Sequence, residues 1–133
     1  MTNHTMQERQ HNLQEKHHNT VQVFSCGTLN GTSVENLEGE DLGHLKEIML
    51  DMNSGRVAYA VLSFGGVLGI GDKLFAVPWA ALHIDTYDKK IVLDVARDRL
   101  EEAPGFDKDN WPHTVEHSWL NDVYDYYGHT YMA

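Results

Sequence analysis

Between Leu29 and Val95 the apolar positions recur mostly at every second residue, in short runs broken by turn residues, which predicts strands. Thr32-Ser33-Val34-Glu35 alternates and then meets a turn at Glu38-Gly39-Glu40. Residues 43–52 predict a second strand, with Ile48, Leu50 and Met52 on one face and Leu45 out of phase with them. One extra residue near Lys46-Glu47, a β-bulge, restores the phase. Asn53-Ser54-Gly55 is a turn, and residues 56–64 are the strongest strand in the chain. In it Val57, Tyr59 and Val61 share one face, and Ala58, Ala60, Leu62 and Phe64 the other. Both faces are apolar, so this strand is expected to be covered on both sides. Residues 74–77 form a short strand stopped by Pro78. Residues 83–85 and 91–95 pair across a turn at 87–90.

The last third follows a different period. Asp98-Arg99-Leu100-Glu101 has capping-box spacing, with Asp98 as N-cap, and Pro104-Gly105 ends the short helix it starts. Residues 107–111 read as a loop, and Pro112 suits the first turn of a second helix. Val115, Trp119, Leu120, Val123 and Tyr127 then form an apolar stripe, which must pack on the strands or on a neighbouring subunit. The domain organisation expected is a mobile polar tail over 1–24, a barrel over 25–97 and a helical extension over 98–133. The tail follows from composition: residues 1–20 hold three apolar side chains, too few to offset the entropy of ordering.

Charge narrows the function classes. Twenty acidic residues against ten basic ones give a net charge of −10. That argues against a basic face for nucleic acid or anionic lipid. None of the charge arises in the first 20 residues, whereas residues 100–133 hold seven acids and one base. A single cysteine, Cys26, excludes an internal disulfide framework. No apolar run is long enough to span a bilayer, and no leader-like apolar segment opens the chain, so a cytoplasmic protein is expected.

The run VAYAVLSFGGVLGIGDKLFAVPWAAL, residues 57–82, resembles the PRC-barrel family, named for the cytoplasmic domain of the photosynthetic reaction centre H subunit. Leu29-Asn30-Gly31 through Val34, Glu38-Gly39-Glu40-Asp41-Leu42-Gly43 and Leu93-Asp94-Val95 are similar to its opening and closing strands. APGFDKDNWP, residues 103–112, and Tyr126-Tyr127-Gly128 resemble the extension of the stand-alone bacterial and archaeal members. The resemblance implies a mainly β fold, a small and strongly bent barrel of about six strands with a helical C-terminal extension. It also implies a non-catalytic role without a cofactor. In the reaction-centre subunit such a barrel packs on partner membrane proteins near the quinone sites, and in the ribosome maturation factors a similar one contacts a ribosomal protein.

Candidate sites are few. Gly65, Gly66, Val67, Leu68, Gly69, Ile70 and Gly71 form a loop that does not match a phosphate-binding string, because Asp72-Lys73 is followed by Leu74 and a strand. Its glycines suit barrel corners, and its apolar residues suit contact with a partner subunit. His113-Thr114-Val115-Glu116-His117 is a literal H-x-x-E-H string. It is the remotest basis for a zinc hydrolase and a better one for loose metal binding by His113 and His117, at i and i+4 of a helix. His4, His11, His17 and His18 in the tail offer a second loose chelating group. Cys26 has no evident activating base. Trp79, Trp111, Trp119, Tyr124, Tyr126, Tyr127 and Tyr131 read as a docked stripe in preference to a ligand platform. The expected function is a protein-interaction module that self-associates as a dimer or higher oligomer, with another protein as a further partner. It has no nucleic-acid or membrane-insertion role. The alternative is metal or small-ligand binding through the tail or His113/His117.

Overall fold

The computed structural model describes residues 20–64, 73–106, 111, 112 and 114–131. One sheet runs β5-β6-β1-β2-β3-β4-β7. Its strands are β1 (Ser33–Glu35), β2 (Asp41–Leu50), β3 (Val57–Phe64), β4 (Lys73–Val77), β5 (Leu82–Asp85), β6 (Lys90–Leu93) and β7 (Gly105–Phe106). A 3-10 turn at Trp79–Ala81 leads into β5, and the helices are α1 (Cys26–Leu29), α2 (Arg97–Glu101) and α3 (His117–Tyr126). Strands β1 to β4 form an antiparallel meander. The chain then crosses to the far side of β1, where the β5–β6 hairpin joins through a parallel β1–β6 pairing. Six strands belong to the expected barrel and the seventh comes from the extension. The sheet is not closed; it is the mainly β, strongly bent, barrel-like fold anticipated.

Bulges bend β2. Leu42, Leu45 and Ile48 lie three residues apart, yet all three pack into the same cluster. Each interval of three holds one residue more than a flat strand allows on one face. The pairing with β1 slips between Ser33 and Glu35, at Gly43, and the pairing with β3 slips between Leu45 and Glu47, the bulge expected at Lys46. Gly43 has φ +94°, and a Cβ there would lie 2.0 Å from the Ser63 carbonyl oxygen, so only glycine fits. A further slip between Met49 and Leu50 leaves Leu50 exposed and ends the strand before Met52. Ile48, Leu50 and Met52 therefore do not share one face.

β3 is covered on both sides. Ala60, Leu62 and Phe64 join an inner cluster with Val34, Leu42, Leu45, Phe75, Val77, Ile91 and Leu93. Tyr59 and Val61 join an outer cluster with Leu74, Ala76, Leu120, Val123 and Tyr124. Ala58 is in the outer cluster rather than with Ala60, because the slip against β2 falls beside it. Asn36, 2% exposed, locks the β1–β2 turn: its Oδ1 accepts from the amides of Glu38 and Glu40, and its Nδ2 donates to Glu40 and to the Val95 carbonyl.

Two helix boundaries differ from expectation. α2 starts at Arg97 with Ala96 as N-cap and no side-chain cap; the Asp98 carboxylate accepts from the adjacent Arg99 amide, so the capping box does not form. α3 starts at His117, five residues after Pro112, with Glu116 as N-cap. Pro112 can start a helix, but Trp111, Pro112 and Val115 are half-buried, and Trp111 and Val115 pack on the outer cluster. Tertiary packing sets the boundary here.

Candidate functional site

The extension approaches the barrel along β7, where Leu74 pairs with Phe106, and then lays α3 over the outer face of β3 and β4. Trp119 meets Tyr59 edge to face, with centroids 5.3 Å apart. Phe106 and Trp111 meet at 5.2 Å, as do Tyr124 and Tyr131. The Tyr124 hydroxyl donates to the Ala58 carbonyl at 2.6 Å and receives a backbone hydrogen bond from Trp79. Burial raises the Tyr124 pKa above the ordinary phenol value, and the Trp79 bond opposes that rise. At the other end of α3, the Arg99 guanidinium lies 4.2 Å over the Tyr126 ring and donates to the Tyr126 carbonyl. The Tyr126 hydroxyl returns a bond to the Arg99 carbonyl at 2.6 Å.

Beneath the extension lies a cleft of about 320 Å³. Met49, Met52, Tyr59, Val115 and Leu120 give it apolar walls, and Asp51, Thr114, His117 and Tyr131 polar ones. Asp51 accepts from the Asn53 amide at 2.8 Å and from the Tyr131 hydroxyl at 2.9 Å. The Asn53 bond first, then the Tyr131 bond, hold its carboxyl below the usual value. Burial and the neighbouring Asp51 raise the Tyr131 phenol, so the proton stays on Tyr131.

A second surface lies over the outer face of β5 and β6. Leu37, His83, Ile84, Asp85, Tyr87 and Val92 border a shallow groove of about 490 Å³. Leu37 is 69% exposed and Tyr87 86%. Asp85 Oδ1 accepts from the amides of Tyr87 and Asp88, both at 3.0 Å, and so sets the hairpin turn. At its far end Lys90 bonds Glu35 at 2.7 Å. That bond, and then the Glu35 charge, raise the Lys90 pKa.

The candidate residues fall as follows. Leu120 and Val123 are buried in the outer cluster, with Trp119 and Val115 half-buried against it. Tyr127 caps α3 and packs against the inner cluster, so the stripe serves two clusters rather than one. Its hydroxyl is buried without a partner among the described residues, and burial, then Tyr126, push its pKa up. Gly65 to Gly71, His113 and the tail histidines lie outside the described residues. Residues 114–116 are not helical, and His117 is the first residue of α3. Among the described residues no three His, Cys, Asp or Glu side chains gather as a metal would need. Cys26 is exposed. Among those residues, too, no helix is long and apolar enough to cross a membrane.

Sequence pattern placed Tyr124 in the docked aromatic set but not in the helix stripe, although its i+4 spacing from Leu120 signals it. It missed β7, too short for a period, and the free edge of β5, which depends on which strand ends the sheet.

These features define a class: a small, strongly bent β-barrel-like domain braced by a helical extension. The family model for the PRC-barrel domain matches residues 22–100, more than half of the chain. The chain belongs to the PRC-barrel family. No curated protein matches it.

Proposed function

We propose that this chain is a non-catalytic interaction module whose first partner is a second copy of itself. The observation that carries the reading is the edge strand β5, unpaired on its outer side among the described residues, with the exposed Tyr87 at its end and the exposed Leu37 across the β5–β6 face. An unpaired strand edge with exposed apolar side chains near it gains by being covered. The aromatic helix no longer supports self-association, because its stripe packs on its own barrel. PRC-barrel domains serve generally as non-catalytic modules, which supports the same reading. Sedimentation velocity over about a hundredfold range of concentration tests it. The mass should rise above 15.1 kDa as concentration increases. A clean monomer throughout would sink the proposal.

A second reading rests on the cleft under α3. Its apolar walls, with Asp51 and His117 at the margin, fit a small apolar molecule carrying a hydrogen-bond donor. A fragment screen by thermal shift, repeated on Leu120→Trp to fill the cleft, decides it. Hits that survive the filled cleft would remove this site.

A further inference from the structure

We infer that two copies meet edge to edge along β5, antiparallel, about a two-fold axis through Ile84. This rests on the self-association proposed above and names its surface.

β5 ends the sheet, and among the described residues no strand pairs with its outer edge. Natural edge strands are usually blunted by Lys, Pro, bulges or a covering element. Here the edge residues are His83, Ile84 and Asp85, and the exposed Tyr87 stands in the turn that follows them. The opposite edge, β7, offers only Gly105 and Phe106, and Phe106 is already stacked on Trp111. β5 is therefore the edge with backbone to spare.

The register follows from the residues. β5 alternates: Leu82 is buried in the inner cluster and Ile84 packs against it, so His83 and Asp85 share the outward face. An antiparallel two-fold centred on Ile84 sets His83 of each copy opposite Asp85 of the other, twice. An imidazole N–H donates to a carboxylate in either protonation state. Asp85 holds its own turn through Oδ1 alone, which leaves Oδ2 for the second copy. Parallel pairing would set His83 on His83 and Asp85 on Asp85, and like groups directly opposite are unfavourable. The strand is complementary to itself in one orientation only. That complementarity favours a second copy over an unrelated peptide.

The edge is also pre-formed. Asp85 fixes the turn that carries Tyr87, and the pairing with β6 fixes β5 itself. Little ordering entropy is left to lose on association. Four residues and one flanking side chain cover less than the ~800 Å² per partner of a standard interface, so the association is concentration-dependent rather than permanent.

The test uses the whole chain in sedimentation velocity. His83 is exposed, so its substitution leaves the core intact. His83→Asp places like charges opposite each other twice and should weaken the dimer constant by about tenfold or more. His83→Lys sets a cation opposite Asp85 and should preserve or tighten it. Asn121→Asp, on the exposed side of α3, adds the same charge elsewhere and should leave it near the wild-type value. Amide exchange should slow across residues 82–85 as dimer forms. A dimer indifferent to His83→Asp, with no added protection in β5, overturns this interface and leaves self-association standing. A wild-type chain that stays monomeric overturns both, and the edge then belongs to a strand from a different protein.

Discussion

The two faces of β3 are both buried, but by different means. The inner face is closed by the sheet curling on itself, and the side chains it meets from the sheet are aliphatic or Phe: Leu42, Leu45, Phe75, Val77, Ile91 and Leu93. The outer face is closed by an appended helix, and its cover is aromatic with polar tips: Trp119, Tyr124 and Tyr131. The inner seal needs no hydrogen bond at its centre, because each strand from β1 to β6 contributes carbon. The outer seal is pinned at points, by Tyr124 on Ala58 and Tyr131 on Asp51. One face is the fold itself. The other is a brace that can be loosened while the fold persists, and each perturbation below tests that distinction.

Gly43→Ala should act most strongly. It forces a side chain into φ +94° and drives a Cβ to 2.0 Å from a backbone oxygen of β3. Backbone strain and overpacking together cost on the order of 4 kcal/mol. Chemical denaturation should show global loss, because the bulge at Gly43 bends the strand that closes the inner face. A tolerated Gly43→Ala would mean that β2 does not need its bend.

Leu62→Ala and Leu120→Ala compare the faces directly. Leu62 is 0% exposed in the inner cluster and Leu120 5% in the outer one. Truncation should cost about 3 to 4 kcal/mol at Leu62 and about 2 to 3 at Leu120, where the helix can settle into the void. Amide exchange should separate them further. Leu62→Ala should speed exchange throughout the sheet, and Leu120→Ala chiefly in α3 and β7. Equal, global effects would abolish the distinction between fold and brace.

That contrast also explains what was legible in the sequence. Strand period exposed both apolar faces of β3, and the phase break at Leu45 gave the bulge at Lys46. The β5–β6 hairpin was visible in its alternation and turn. Helix onset was not, because Pro112 and Asp98 obey local rules that packing overrides at Trp111, Val115 and Leu100. The loop over 65–71 was the clearest candidate surface by composition and lies outside the described residues. The β5 edge was invisible for a different reason. That β5 ends the sheet depends on the order of the strands, and no local pattern encodes that.

Tyr124→Phe removes a hydroxyl that bonds both the Ala58 carbonyl and the Trp79 backbone and leaves those groups unpaired, so it should cost about 1 to 3 kcal/mol at neutral pH. Its pH dependence is the sharper test. The Tyr59, Tyr124 and Tyr127 phenols all have raised pKa values in the fold, mainly through burial. Below the unfolded pKa of about 10 all are protonated in both states, and their contribution is complete. As pH rises past that value the unfolded chain ionises first, so stability falls. Tyr124→Phe should shallow this alkaline decline in thermal unfolding. An unchanged slope would show that Tyr124 does not pin the brace.

The smallest effect belongs to the margin of the outer face, at Asp51. Hydrogen bonds from Asn53 and Tyr131 depress its pKa, so its contribution is present above the unfolded value of 3.8 and is lost as pH falls through the folded one. The group is exposed, and salt and water screen what it gains. Asp51→Asn keeps an acceptor for Tyr131 while removing the charge, so it should change stability little at neutral pH and flatten the acid limb slightly. Asp51→Ala removes the acceptor as well and should free Tyr131, seen as faster amide exchange over residues 128–131 with the sheet unchanged. If the sheet loosened in step, the brace and the barrel would be one cooperative unit. The outer face would then be as much a part of the fold as the inner one.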